Sequence, residues 1–447
     1  MIICFKNAKV FQTKGLVSVL DNQDVIVEND LIKEVGHNIA GNYKADKTID
    51  CSGKILMPGN VCSHHHYYSG LSRGMQITAG KQEDFIQVLK EWWWRLDRGL
   101  DEEACYYSSL ICSLDAIKAG TTGVVDHHAS PNYIKGSLST IAKGMTEVGI
   151  RGVTCYEVTN RNGGEEENDL GIEENIRFAK EVDAKVKNGE KVLCEAMVGA
   201  HAPFTISDYG MGKLKEAMDE TNRGLHIHIA EDDYDVKQSH HVYGLDIVDR
   251  LNKFNLLTDK SMLVHGIFLS DYEVDLINSN NCFFAHNARS NMNNHVGYCP
   301  HITKFNKLVL GTDGCGGDMF EEIKLAFFKH KDNGGPFWPS DYLNAMTRGN
   351  TLLETAYGNR FSLGRIEKGY KADLVVLSYN SPTPLLDVNA ATHFVWGMNS
   401  NMVETVMVDG SIVMEDRKID HVDVDKIYSE ATKVAERVWK LVDKIKA

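Results

Sequence analysis

The sequence predicts an α/β protein: a (β/α)8 TIM barrel with a small β-sandwich domain built from both chain termini. Three observations carry this expectation. Apolar runs of strand length alternate with helical stretches about eight times through the middle of the chain. Both ends are rich in short β segments instead. Polar residues cluster just after the apolar runs, where a barrel gathers its loops on one face. On periodicity alone a doubly wound open sheet is the competing architecture.

At the N-terminal end, residues 25–27 and 31–35 are short β-branched or alternating runs broken by Asn-Asp and Gly. Residues 372–377 and 403–410 look similar, the latter closing on an Asp-Gly turn. The expected division is residues 1–57 and 366–418 for the β domain, 58–365 for the barrel, and 419–447 for a C-terminal helix. Barrel strands are expected at 59–63, 123–126, 152–156, 192–199, 225–229, 262–264, 282–285 and 308–311. Helices are expected between them, among others at 102–119, 174–186, 244–252 and 320–330. In the tail, Ile427, Ala431, Val434, Val438, Leu441 and Ile445 recur at three- and four-residue spacing, the mark of an amphipathic helix. Its acidic start and its Lys440, Lys444 and Lys446 end suit the helix macrodipole. Packing on the body of the protein is the expected role of that face.

The 447 residues are 43% hydrophobic and 25% charged, an ordinary globular composition. Lys and Arg number 48 and Asp and Glu 62, a net charge of −14. That balance argues against nucleic acid or an anionic membrane as partner. No stretch approaches the roughly 20 apolar residues of a membrane helix. The N-terminus lacks the basic leader and long apolar core of a signal peptide. The ten cysteines form no CxxC pair, and most sit in apolar runs. A reducing cytoplasm is the expected compartment.

The residues that carry chemistry stand at the expected strand ends. His64-His65-His66 follows the first strand. In an extended segment His64 and His66 point the same way, and such imidazole pairs suit zinc or iron. A chain with 18 histidines places some together by chance, so this pair alone is a weak signal. His226 and His228 alternate along the fifth strand, and His228 lies nearer the mouth. Glu231 follows; a carboxylate beside a metal-bound water can accept and pass on its proton. A helix-start acid on a solvated face is the bland alternative, since Asp232 and Asp233 adjoin it. His265 ends the sixth strand and Asp313 the eighth, between glycines that equally suit a turn. Successive placement at strand ends is harder to explain as turn chemistry and core histidines.

The ordered set Pro58-Gly59, His64-x-His66, His228-x-x-Glu231, His265 and Asp313 resembles the metal-dependent amidohydrolase superfamily. Residues 200–205 (Ala-His-Ala-Pro-Phe-Thr), 286–291 and 311–314 look like the branch holding atrazine chlorohydrolase, triazine hydrolases, 8-oxoguanine deaminase and adenosylhomocysteine deaminase. Residues 91–97, 120–128 and 364–374 extend the likeness over essentially the whole chain. The resemblance implies one divalent metal ion, zinc or else iron, on His64, His66, His228 and Asp313. No lysine has the pattern of a carboxylated bridging ligand. It implies Glu231 as proton shuttle, His265 as stabiliser of the attacking water or developing charge, and Asp313 also as proton acceptor.

His201 is implied as a substrate contact, though a histidine bonded within its own loop is the rival reading. Trp92, among three consecutive tryptophans, is expected to stack on a planar heterocycle, and Arg73 to hold a carboxylate or ring oxygen. A surface ion pair is the alternative for Arg73. The implied activity is hydrolytic deamination of an amino-substituted N-heterocycle of purine, pterin, triazine or pyrimidine type. Opening of a cyclic amide, or loss of another leaving group, uses the same site. A metal-binding assembly protein without catalysis is the third possibility, and the presence of Glu231 and His265 argues against it. Where guanine deaminases carry a Pro-Arg pair, this chain has Pro203-Phe204, which argues against guanine. Relatives imply a homo-oligomer, a dimer or larger.

Overall fold

A computed structural model describes residues 1–446. The N-terminal region supplies β1 (Ile2–Gln12), β2 (Ser18–Glu28), β3 (Leu31–Gly36), β4 (Lys47–Asp50) and β5 (Ile55–Pro58). The C-terminal region adds β15 (Leu374–Leu377), β16 (Val403–Val408) and β17 (Ser411–Met414). Together they form one sheet in the order β17-β16-β15-β5-β1-β2-β3, with β4 beside the first half of β1. The sheet curls over on itself. Leu31 bridges Lys371 just before β15, and Ile3, Phe5, Val25, Ile32, Leu374 and Met407 share one buried core. The two ends of the chain thus complete one β unit, as expected.

Between them run β6 (Asn60–His65), β7 (Thr121–Asp126), β8 (Arg151–Thr154), β9 (Cys194–Ala196), β10 (Val198–Ala200), β11 (Leu225–Ile229), β12 (Met262–His265), β13 (Phe283–His286) and β14 (Leu308–Leu310). They pair in parallel as two arcs, β6-β7-β8-β9 and β10-β11-β12-β13-β14. The fourth barrel strand is the β9–β10 segment, interrupted at Met197. The barrel closes where His65 bridges Asp313 and the Thr312 amide donates to the His64 carbonyl at 2.8 Å. Its interior is packed by Val61, Val125, Val153, Val264, Phe283 and Val309, with Leu353 and Tyr357 beneath. This closure rules out the open sheet, and every expected barrel strand overlaps an observed one.

The helices depart more. Residues 174–186 lie inside a longer helix, Glu165–Lys187. The helix expected from 244 begins at Ile247, after a separate helix at Asp233–Tyr243. The C-terminal helix spans Val424–Val442 and buries Ile427, Ala431, Val434, Val438 and Val442. Leu441, expected on that face, is exposed: a four-residue step from Val438 lands on Val442. The helix packs on the body and grips the insertion after β6. Arg95 donates to the carbonyls of Val442 and Asp443 (3.0 and 3.2 Å) and of Thr78 (2.7 Å), while Trp439 Nε1 donates to the Leu71 carbonyl (2.8 Å). The buried guanidinium thereby pairs helix-end carbonyls that have no partner within the helix. No helix among the described residues is long and apolar enough to cross a membrane. All ten cysteines are free, and only Cys315 is exposed.

Buried Arg151 ties β8 to the β domain, donating to both Asp373 oxygens (2.7 and 3.0 Å) and to Asp409 (2.8 Å). Lys371 approaches the same Asp409 oxygen at 2.9 Å. Burial pushes the Asp409 pKa up, but Arg151 and Lys371 overcome that and hold it below the usual carboxylate range. A depressed folded pKa contributes stability that is present above the unfolded pKa of about 3.9 and lost as pH falls through the folded value. Asp409→Asn is expected to cost about 3–5 kcal/mol at neutral pH, because it strips a buried partner from Arg151. Urea unfolding of both proteins should show that difference shrinking as the buffer is taken below about pH 3.9.

Candidate active site

The C-terminal ends of the barrel strands carry the polar residues that the pattern predicts. His64 and His66 alternate at the end of β6, and the ring of His65 turns back so that its Nδ1 accepts from the His66 amide. His228 stands toward the mouth of β11, while His226 lies deeper, with its Nε2 2.8 Å from His64 Nδ1. His265 ends β12, and Asp313 follows β14. His265, Asp313 and Ala230, which precedes Glu231, have φ values of 74°, 54° and 43°. Left-handed backbone at such residues costs on the order of 1–3 kcal/mol each, and here it aims their loops into one mouth.

One nitrogen each of His64, His66 and His228 and one oxygen of Asp313 lie within 4.8 Å of one another. Asp313 Oδ1 is 2.8 Å from His66 Nε2 and 3.6 Å from His64 Nε2, which is 3.3 Å from His228 Nε2. His66 Nδ1 donates to the His127 carbonyl (2.7 Å) and His228 Nδ1 to the His201 carbonyl (3.0 Å). Those bonds fix the tautomers and leave both Nε2 lone pairs facing the cluster. Burial lowers the His64 pKa to about 3 and takes that of His228 well below its ordinary value. Burial alone would raise Asp313, but His66, His64 and His265 hold it well below the carboxylate range. Three imidazoles around one carboxylate are the donor set of zinc and other first-row divalent ions, so the residues fit a metal.

Glu231 and His265 stand against this cluster. His265 Nε2 is 3.5 Å from Glu231 Oε2 and 3.6 Å from Asp313 Oδ2. Ser290 Oγ donates to that Asp313 oxygen at 2.7 Å, and Asn294 Nδ2 to Glu231 Oε1 at 3.3 Å. Burial pushes the Glu231 pKa up to about 7, with Asp313 adding to the rise against the pull of His265. Glu231 therefore exchanges a proton near neutrality, as an acid–base group requires.

The cluster floors a pocket open to the barrel mouth. Its lining is apolar at Phe85, Leu89, Trp93, Trp94 and Phe204 and polar at Glu231, Ser290 and Asn294. His201 lines it too. Thr205 Oγ1 donates to the Ala202 carbonyl (3.0 Å), so it accepts from His201 Nδ1 (2.8 Å), which leaves His201 Nε2 as an acceptor. His201 thus bonds within its own loop and also lines the pocket.

Two expected substrate contacts lie elsewhere. Trp92 packs, half-buried, on the hydrophobic core, while Trp93 and Trp94 line the pocket. Successive helical residues point about 100° apart, so the three indoles cannot share a face. Arg73 forms a surface ion pair with Asp115, and its side chain is 69% exposed.

Glu157 and Arg161, outside the residues expected from the sequence, also line the pocket, and Asp97 is the buried partner of Arg161. The first two follow the third barrel strand, and the rule that flagged Glu231 would have found them.

The architecture defines a metal-dependent hydrolase of the barrel type, with a β domain from both termini. The amidohydrolase family model matches residues 55–413, and the chain belongs to that family. It is an aminohydrolase-type enzyme acting on carbon–nitrogen bonds. A 5-methylthioadenosine/S-adenosylhomocysteine deaminase of Thermococcus sibiricus is 29% identical over 93% of this chain and 94% of its own. A 5'-deoxyadenosine deaminase of Methanosarcina acetivorans is 30% identical over 98% of both chains. Among solved structures, a zinc-bound adenosine deaminase from Xanthomonas campestris superposes with a TM-score of 0.82 at 20% identity, covering 98% of each chain.

The pocket wall generates a direct contrast. Trp94→Leu is expected to raise KM for a heterocyclic substrate about tenfold, the loss of about 1.4 kcal/mol of aromatic contact. Trp92→Leu should leave KM within about twofold while lowering the melting temperature, because its indole packs on the core. Steady-state kinetics and a thermal melt of the two variants decide it.

Proposed function

We propose that the chain hydrolytically removes the exocyclic amine of a planar N-heterocycle, releasing ammonia and leaving a ring carbonyl. The observation that carries this reading is Glu231, a half-buried carboxyl with a pKa of about 7, 3.5 Å from His265 and beside the three-histidine, one-aspartate cluster. Metal binding alone needs neither Glu231 nor His265. The relatives' names support aminopurine nucleosides as the first class to test.

His64, His66, His228 and Asp313 would hold one divalent ion, with zinc supported by the zinc-bound structural neighbour. Such an ion, when bound, polarises water and lowers its pKa toward about 7. The chain's own residues then do the proton work. Ionised Glu231 accepts the proton of the attacking water and returns it to the ring nitrogen. The amine takes a further proton as the carbon–nitrogen bond breaks. Asp313 Oδ2, held by Ser290, and His265 Nε2 border the attack position and steady the charge that develops there. His201 Nε2 accepts a hydrogen bond from the substrate. Trp93, Trp94, Leu89 and Phe204 flank the ring and keep bulk water away from it. By the family resemblance, the working form is a cytoplasmic homo-oligomer.

The test is ammonia release from the metal-loaded protein over adenosine derivatives, aminopterins, aminopyrimidines and aminotriazines. One ring class should release ammonia with the ring intact. Glu231→Gln should lower kcat by about 10²–10⁴ and keep its metal. His228→Ala should lose most of its metal, measured by plasma mass spectrometry. A ring-opened product with no ammonia would contradict the reading.

A further inference from the structure

We propose that Arg161 receives a ring carbonyl of the substrate, so that the heterocycle carries an oxygen as well as the amine it loses. The proposal rests on the deaminase reading above and narrows its substrate class. Arg161 follows the third barrel strand and lines the pocket. Its side chain is 6% exposed.

Two contacts fix the guanidinium. Nη2 donates to Asp97, itself buried, and the group lies 5.3 Å from the centre of the Trp94 ring. Asp97 and Trp94 both belong to the insertion after β6. Nε and Nη1 take no part in the Asp97 bond, and neither has an acceptor among the described residues. The carboxyl facing Nη1, that of Glu157, stands 4.0 Å off, beyond hydrogen-bond reach. A buried N–H without an acceptor is costly, and arginine cannot shed its protons to escape that cost. A donor held this way is preorganised for an acceptor that a ligand brings.

The acceptor is a neutral one. Asp97 already balances the guanidinium, and an anion beside Nη1 would also face Glu157. A carbonyl oxygen offers two lone pairs without a full charge. The surroundings of Arg161 also say where on the ring it lies. Glu157 Oε1 is 3.2 Å from His66 Nδ1, so Arg161 stands one side chain beyond that member of the metal cluster. Glu231 and His265 gather at Asp313 instead. The amine leaves beside Glu231, and the carbonyl meets Arg161 at a ring position removed from it. Amino-heterocycles with a ring carbonyl, of cytosine, isoguanine or pterin type, fit this pattern better than adenine or an aminotriazine.

The experiment is calorimetric binding to the zinc-loaded, full-length Glu231→Gln protein, in which turnover is suppressed. The probes are matched pairs, adenine with isoguanine and aminopyrimidine with cytosine, the second of each pair adding one ring carbonyl. The carbonyl-bearing member is expected to bind about 10- to 100-fold tighter, the range of one hydrogen bond from a charged donor. That comparison needs no change at Arg161. Adding Arg161→Lys keeps a cation for Asp97 but loses the planar fork, and the ratio should fall to within about threefold. Equal affinity within every pair, a ratio unchanged by Arg161→Lys, or no binding at all overturns the proposal. Tighter binding of a carboxylate derivative of cytosine than of cytosine itself would make this an anion subsite and overturns it too. Ammonia release by the wild type on the same probes is scored separately. Carbonyl-selective binding without ammonia upholds the role of Arg161 and refutes only the deaminase reading.

Discussion

The rest of the site depends on three imidazoles and one carboxylate forced to a single point in a buried place. Asp313 approaches His66 Nε2 to 2.8 Å, and His64 and His228 point their Nε2 atoms at one another across 3.3 Å. Lone pairs that crowded are costly without a cation, and stable with one. Barrel closure enforces the crowding. The Thr312 and Asp313 amides both donate to the His64 carbonyl, at 2.8 and 3.0 Å. Gly311 makes that approach possible, since a Cβ there would fall 2.6 Å from the Cβ of His64.

The groups around this point hold it in place. Backbone carbonyls of His127 and His201 fix the tautomers of His66 and His228. Asn291 Oδ1 accepts from His265 Nδ1 at 2.9 Å and turns Nε2 toward Glu231 and Asp313. Further out, the C-terminal helix fixes the insertion whose tryptophans wall the pocket. Arg95 joins that insertion to the last carbonyls of the helix, so the C-terminal helix and the insertion that lines the pocket belong to one packed unit. Chemistry sits on rigid strand ends, while the apolar wall comes from a segment clamped from outside.

Much of this was legible in the sequence, for a physical reason. Strand ends in a barrel converge, so a polar residue after each apolar run marks the mouth without any knowledge of contacts. His64, His66, His228, Glu231, His265 and Asp313 follow from that rule, and so does the preference for His228 over the deeper His226. Glu157 obeys the same rule, but a lone carboxylate carries no spacing signal. Trp92 fails for the opposite reason. Adjacent indoles differ by a helical rotation, and a π-helical turn at Leu89–Trp93 alters the register that a regular helix would give. Arg73 pairs with Asp115, 42 residues away in sequence, and Asp97 with Arg161, 64 residues away. No local pattern announces either pair.

Anomalous diffraction from crystals of the zinc-loaded protein would locate the ion among these ligands. The strongest peak is expected at the mouth of the barrel, bounded by Nε2 of His64, His66 and His228 and by the Asp313 carboxylate, with Glu231 alongside but outside the ligand set. Zinc bound elsewhere, or Glu231 found as a ligand in place of Asp313, would contradict it.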